Sequence, residues 1–533
     1  MIYSEIIQSK NGLDIPVFTD NRSMHSKYDP LREAQTFGND IKQDSKFSII
    51  IGLGGAYHIE SFVNKNPDHF ILVIENSSED IEYLSKIECV KKVLSYKNVK
   101  IISKDEILTE ILKYYLPQFY GGINILFNRA WHDSNPDVSK EITDCINDAL
   151  TQCSRDYSVQ CHFGLIWQKN ILKNLKSLSK MRGKKFLIDC RKTAAVIAAG
   201  PSLDKTIDIL KEKRDSYFII ATDTACSVIN SRGMNCDAVV SIDGQNISHK
   251  HFIGRKDSST VFVFDLQANS SAVNYISKFS ENIIFTKSGH PFCNYAQING
   301  LKNSSFMNLE SGAGTVTIAA VDFASKCGFK NIEVFGADFS YIFNKPYTKG
   351  TYLDCLYRQN ENRKNPAEKR FVDLIYRTQI KKEKVDFNGL KFNEKTTQIK
   401  TDILDSYKET FIEWIKSRNF NCKYENFIYY INSDVTDGKI TFSTPEPFTF
   451  ETPRFDYEKF KKVIGVNSAQ INEKITQNGN EDNLDKNMPY GPENFDSLTV
   501  SLLPLTAYYR AKDKKLTFVE GLKLALSKIL EYT

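Results

Sequence analysis

No Cys-x-x-Cys pair occurs in this 533-residue chain, and its eleven cysteines, from Cys89 to Cys422, show no zinc-ligand spacing. Thiols scattered in this way are expected to be reduced, as in the cytoplasm. Nowhere do about 18 apolar residues run together, so no membrane span is expected. The N-terminus lacks a basic segment followed by an apolar stretch, so no signal peptide is expected either. Charge of one sign is also scarce: 70 Lys plus Arg against 65 Asp plus Glu leave +5, too little over this length for a nucleic-acid binder. The basic runs 381–384 and 510–515 are expected on solvated loops or helix faces. Neither a fixed-period repeat nor a Walker phosphate loop is present.

What is present is an alternation of short apolar runs and amphipathic segments, on a chain too long for one core of about 250–300 residues. Residues 47–51 (FSIII) lead into Gly52-Leu53-Gly54-Gly55, a helical 59–65 and a second strand at 70–74, with further strands at 99–103 and 123–127. A long helical stretch over 138–180 follows. A second alternation has strands at 194–198, 218–221, 238–242, 261–264, 283–285 and 332–335, then a polar, aromatic stretch to about 384. A helix over 401–416 and a strand at 427–431 come next. Pro445, Pro447 and Pro453 mark a break, 478–487 is polar and expected to be flexible, and 517–530 has helical periodicity. The fold class expected is therefore multidomain α/β, with two Rossmann-like parallel-sheet domains (1–135 and 191–445) joined by a helical connector (136–190). A cover insertion near 340–400 and a mainly helical C-terminal region (446–533) complete the division.

Chemistry is expected where small and polar residues end the strands of the second alternation. Ala198-Ala199-Gly200-Pro201-Ser202-Leu203 follows a strand and precedes a helix. Such a turn allows close backbone approach, and the N–H groups of a helix start attract phosphate. Thr222-Asp223-Thr224 and Ser241-Ile242-Asp243-Gly244 end the next two strands, and Asp223 and Asp243 are either ligand contacts or helix caps. Glu310-Ser311-Gly312-Ala313-Gly314-Thr315 precedes a helix over 316–326 and is a second anion-binding candidate. Gly336-Ala337-Asp338-Phe339-Ser340-Tyr341, with Tyr347 beyond it, supplies phenols that hydrogen-bond a departing phosphate without a metal.

The ordered set from Gly200 to Tyr347 resembles the central domain of the motility-associated-factor (Maf) flagellin glycosyltransferases. Residues 25–34 (HSKYDPLREA) resemble that family's N-terminal signature, and Gly52-Leu53-Gly54-Gly55 with Glu75 its first nucleotide-fold domain, so the resemblance covers roughly residues 20–440. More distantly, the central domain is similar to bacterial sialyltransferases that use CMP-activated sugars. The resemblance implies a nucleotide loop at Gly200, Pro201, Ser202 and Leu203, a sugar-carboxylate turn at Ser311-Gly312, and catalytic tyrosines at Tyr341 and Tyr347; Thr222, Asp223 and Asp338, at strand ends, are further expected donor contacts. It implies transfer of a nonulosonic acid, pseudaminic or legionaminic, from a CMP-linked donor to Ser or Thr hydroxyls of flagellin before export, with no metal or other cofactor needed for chemistry.

The sialyltransferases place a catalytic His downstream of the tyrosine pair, whereas this chain has no His after His290. The proton acceptor is then Asp243, Glu310 or His290, with Asp243 favoured for its place at a strand end. Three other readings stand beside this one. The Gly52–Gly55 turn with Glu75 can bind a nucleotide or S-adenosylmethionine, as in a methyltransferase, with His25 and Lys27 on phosphate or as local caps. The related archaeal pterin pyrophosphokinases share the central domain, and a non-enzymatic flagellin-binding assembly role is open.

Overall fold

In both halves of the chain, apolar runs of about five residues form strands buried on both faces, the signature of parallel sheets covered by helices. The computed structural model describes residues 1–42, 45–254, 258–302, 304–311, 315–359, 361–387, 394–433, 447–477 and 495–533. These fall into two compact units, one of Met1–Leu165 with Ile464–Glu531 and one of Ile166–Val463 with Tyr532–Thr533. The 43-residue helix Pro136–Leu178, expected as the connector, passes through the boundary between them.

Among the described residues, the first unit holds a four-stranded parallel sheet in the order Val99–Ser103, Phe70–Glu75, Phe47–Ile51, Ile123–Phe127. Every residue of Phe47–Ile51 and Phe70–Glu75 is buried. At about 1.5–3 kcal/mol for each fully buried aliphatic or aromatic side chain, this is the main stabilising term of the unit. An antiparallel hairpin, Tyr3–Gln8 with Asp14–Phe18, precedes it. The sequence pattern does not reveal that hairpin, because its outward positions are polar and the strands are short. The helix expected over 517–530 is found as Phe518–Tyr532, buried along Phe518, Leu522, Ala525, Leu526 and Ile529.

The second unit holds a nine-stranded sheet among the described residues. Its order is Met307–Asn308, Ile283–Lys287, Val261–Asp265, Ala238–Ser241, Tyr217–Thr222, Thr193–Ile197, Asn331–Phe335, Ile428–Asn432, Asn421–Glu425. The first seven strands run parallel, Ile428–Asn432 is antiparallel to them, and Asn421–Glu425 pairs antiparallel with Ile428–Asn432. Thr193–Ile197 lies inside the sheet, and the chain leaves it to one side for Tyr217–Thr222 and returns on its other side as Asn331–Phe335. That reversal makes a crevice beyond the carboxyl ends of these strands. Helix Val316–Lys326 covers the sheet there with an unbroken buried run from Thr317 to Ala324.

Within the insertion expected near 340–400, Tyr341–Ile342, Glu394–Lys400 and Lys381–Phe387 form a three-stranded antiparallel sheet. Ala367, Phe371, Ile375 and Ile399 give it a small core of its own. The basic run 381–384, expected on a loop or helix face, therefore begins a strand. The described residues of 446–533 are mainly helical, as expected, with one short strand among them, Phe448–Glu451, paired to Lys185–Ile188. Pro445 and the polar stretch 478–487 lie outside the described residues.

Candidate active site

The crevice is built on the close approach of two strand ends. Gly200 N–H donates to the Gly336 carbonyl at 2.8 Å, and Ala198 N–H to that of Phe335 at 2.8 Å. A Cβ on Gly200 would lie 2.4 Å from the Gly336 oxygen and 2.6 Å from Asp338 Oδ2, and one on Gly336 would lie 2.4 Å from the Ala198 oxygen. Glycine at both positions is thus a packing requirement, and Gly336 also has φ +66°.

Asp338 lies directly beyond this contact, 6% exposed, and accepts from Ser202 N at 2.8 Å and from the Ser202 hydroxyl. Burial pushes its carboxyl up to about 6, against the Ser202 hydrogen bonds that pull it down. Ser202 is fully buried, so the hydroxyl expected to reach a ligand instead holds Asp338. Pro201 and Leu203 are buried beneath the same turn. Of the four-residue loop, only Gly200 faces the crevice.

Around it lies a cavity of about 260 Å³, lined by Ala198–Gly200, Thr222, Thr224, Thr315–Thr317, Gly336–Tyr341, Pro346, Tyr347, Leu404 and Tyr407. Thr315 to Thr317 form the start of helix Val316–Lys326 and bring its first backbone N–H groups to the wall. Three tyrosines face the same space. The phenols of Tyr341 and Tyr347 are held above their ordinary range, Tyr341 by burial and the nearby Tyr357, and Tyr347 by burial and the nearby Tyr341, Tyr357 and Tyr407. They therefore keep their protons near neutrality and act as O–H donors. The segment carrying Tyr341 and Tyr347 is strained, with Phe339, Phe343 and Asn344 at φ 46°, 56° and 53°. Each such residue costs on the order of 1–3 kcal/mol and persists because the surroundings over-determine it.

The remaining expected site residues are placed as follows. Thr222 lines the cavity, its hydroxyl donating to Ile197 O at 3.1 Å. Asp223 is buried behind Thr224, taking Thr224 N at 2.7 Å, Thr224 Oγ1 at 3.1 Å and Ser241 Oγ at 2.7 Å, and burial raises its carboxyl. Asp243 does not line the cavity: it accepts from Gln245 N at 2.9 Å and Ser248 Oγ at 2.8 Å, the cap geometry of the following turn. Ser311 stands off the cavity wall, its carbonyl closing a turn onto Thr315 N at 3.0 Å, and Gly312 lies outside the described residues. Glu310 is bound to Trp414 Nε1 at 2.5 Å and to Arg418. His290 caps a helix through Nδ1, accepting from Phe292 N at 3.2 Å, and burial lowers it to about 3. Tyr407, in contrast, has no local motif to mark it; its helix is legible in sequence, but not which face meets the cavity.

The turn of the first unit is filled by its own side chains. A Cβ on Gly52 would meet the Trp131 ring at 2.7 Å, and Gly55 N–H donates to His25 Nε2 at 3.0 Å. Glu75 is fully buried and accepts from Tyr3 Oη (3.0 Å), Leu53 N (2.9 Å), Asn76 N (2.8 Å) and Trp131 Nε1 (2.9 Å). No oxygen of Glu75 is left for a ribose, and Lys27 is exposed. Among the described residues no group of three His, Cys, Asp or Glu side chains is placed to hold a metal ion, and no helix is long and apolar enough to cross a membrane.

Comparison with known proteins locates this architecture. Residues 169–344 match the family model described as 6-hydroxymethylpterin diphosphokinase MptE-like. Three uncharacterized proteins of Treponema pallidum are similar over about 150 residues each. One is 36% identical over 154 residues (29% of this chain, 51% of the relative), a second 34% over 145 residues (27% and 69%), a third 27% over 158 residues (30% and 26%). The chain thus spans about half the length of the first of these relatives. Among solved structures, the Maf glycosyltransferase from Magnetospirillum magneticum AMB-1 superposes with a TM-score of 0.56 at 12% identity, covering 99% of this chain and 91% of that one. The chain therefore belongs to one family with the Treponema pallidum protein of which it spans 69%, and it has the fold of the Maf glycosyltransferase.

Proposed function

We propose that this chain is a glycosyltransferase that moves a nonulosonic acid, of the pseudaminic or legionaminic type, from a CMP-activated donor to Ser or Thr hydroxyls of flagellin in the cytoplasm before export. The observation that carries the reading is the cavity at the strand reversal, where Tyr341, Tyr347 and Tyr407 converge with Gly200 and the start of helix Val316–Lys326. As the bond between the sugar and the CMP phosphate breaks, negative charge grows on a phosphate oxygen. Neutral phenols and helix-start N–H groups stabilise that charge without a metal. The attacking hydroxyl must also lose its proton. Asp243, Glu310 and His290 do not line the cavity, whereas Asp338, although held by Ser202, is the one carboxylate among the described residues of the cavity wall. A carboxyl held up to about 6 suits a proton acceptor near neutrality, so we assign the base to Asp338.

The match to a pterin diphosphokinase model favours a second reading, in which the same phosphate site takes ATP and passes diphosphate to a pterin hydroxymethyl group. The S-adenosylmethionine reading has no comparable support, since the turn it needs is filled by Trp131, Met24 and His25. Calorimetric titration with CMP, UDP, ATP and S-adenosylmethionine separates these. Binding of CMP that weakens about tenfold in Tyr347→Phe supports the transferase, the size expected for one hydrogen bond to a charged group. Binding of ATP but not CMP moves the assignment to the kinase, and S-adenosylmethionine as the sole ligand removes both.

A further inference from the structure

Helix Leu203–Glu212 starts at the Gly200 turn, and its second residue is Asp204. An acidic side chain in a first turn ordinarily complements the helix dipole. Here its oxygens are taken up by a segment more than 140 residues away in sequence. Oδ1 accepts from Thr348 Oγ1 at 2.7 Å and Lys349 N at 3.3 Å, and Oδ2 from Lys345 Nζ at 3.4 Å. Arg232, which follows helix Asp223–Ser231, completes the cluster at 3.2 Å from Oδ1. Thr348 N–H donates in turn to Ala199 O at 2.9 Å, inside the nucleotide turn itself. Tyr347 lies between Lys345 and Thr348, so its backbone is held on both sides by one carboxylate. No helix or strand supports the chain from Phe343 to Thr351.

We propose that Asp204 is a positioning residue that latches the tyrosine segment onto the nucleotide turn and so sets where the Tyr347 hydroxyl meets the donor phosphate. This rests on the transferase reading of the cavity. The far end of the segment has its own ties, Ser227 Oγ to Gly350 O and Gly350 N to Asp354 Oδ2, both at 3.0 Å, whereas Asp204 is the group that takes up both Lys345 and Thr348, on either side of Tyr347. A carboxylate facing two cations and a hydroxyl makes charge-assisted bonds, the stronger kind, and its low exposure shields them from solvent.

The test compares the full chain with Asp204→Ala, Asp204→Asn and Thr348→Val. Hydrogen exchange at the amides of Lys345 and of residues 347–350 is expected to speed up about tenfold or more in Asp204→Ala and less in Asp204→Asn, which keeps an acceptor for Thr348. CMP affinity should fall about as far in Asp204→Ala as in Tyr347→Phe, and the double variant should lose no more than either alone. Thr348→Val, the mildest change, covers the case in which Asp204→Ala does not fold. Unchanged exchange in Thr348→Val and Asp204→Asn, or losses that add independently of Tyr347, would overturn the proposal. If the unmodified protein does not bind CMP, the transferase reading fails, while hydrogen exchange still decides whether the latch exists.

Discussion

After the Phe47–Ile51 strand the backbone turns through Gly52-Leu53-Gly54-Gly55, and the space beside it holds Trp131, Met24, His25 and the buried Glu75. After Thr193–Ile197 it turns through Ala198-Ala199-Gly200-Pro201, and the space beside it is a cavity of about 260 Å³. Both turns are glycine-containing strand-to-helix connections of parallel sheets, and both have an acid from another part of the same unit aimed at their backbone. In the first, Glu75 satisfies Leu53 N–H and the surrounding donors outright. In the second, Asp338 is held by Ser202 alone and still forms part of an open wall. A Gly-rich turn therefore tells where a backbone must approach something closely; it does not tell whether that something is a ligand or a tryptophan.

The comparison is broken most forcefully at its glycines. Gly200→Ala is expected to destabilise the second unit by roughly 3 kcal/mol and to abolish CMP binding, because its Cβ meets backbone and a buried carboxylate. Gly52→Ala, at φ +97°, should destabilise comparably through the Trp131 ring while leaving CMP affinity unchanged in whatever fraction folds. Thermal melts with calorimetry check both. Loss of CMP affinity in folded Gly52→Ala would mean that the first turn serves the nucleotide after all.

Next in size is a pH effect confined to the filled turn. Burial lowers His58 from its ordinary value to about 4, and His25 is lowered too. Below about pH 6.5 the unfolded chain takes up protons that the folded unit refuses. The stabilisation from His58 is thus complete above that pH and is lost as pH falls toward 4, up to about 3 kcal/mol. Urea unfolding of wild type and His58→Gln between pH 7.5 and 4.5 reads it out, and an identical slope in the two would show that His58 is not the cause.

Smaller effects belong to the open turn. Tyr347→Phe should lower CMP affinity about tenfold, since one hydrogen bond to a charged oxygen goes, without moving the melting temperature. The smallest is the proton acceptor's signature. With Asp338 held up to about 6, the transfer rate should fall about fourfold between its plateau above pH 7 and pH 5.5, as the base becomes protonated. A flat profile over that range, measured with the CMP-linked donor, would remove Asp338 from that role.

Much of the framework is legible in sequence because its signals are local. Strands expected at 47–51, 99–103 and 123–127 stand at those residues, and helix Asp402–Ser417 departs by one residue at each end from the segment read. The central parallel strands, such as Phe47–Ile51 and Thr193–Ile197, are almost wholly apolar, so burial on both faces shows in composition alone. The Lys381–Phe387 strand, KKEKVDF, carries no such mark, since an insertion with a small core needs few apolar positions. Site residues divide the same way. Gly200, Thr222, Asp338, Tyr341 and Tyr347 share one cavity. Ser202, Asp223 and Asp243 have the right residue type at the right strand end, yet their side chains are taken up by protein partners, Asp338, Ser241 and Ser248.

Sequence by itself determined that this chain folds as two parallel-sheet α/β domains and that polar residues gather at the strand ends of the second, because strand length, apolar content and turn residues act within a few positions of one another. Only the tertiary structure decided which glycine turn is open, which acids are spent on the backbone and which tyrosines converge. Those outcomes depend on partners far apart in the chain, as Ser202 and Asp338 are by 136 positions, and no local preference encodes whether such a partner arrives.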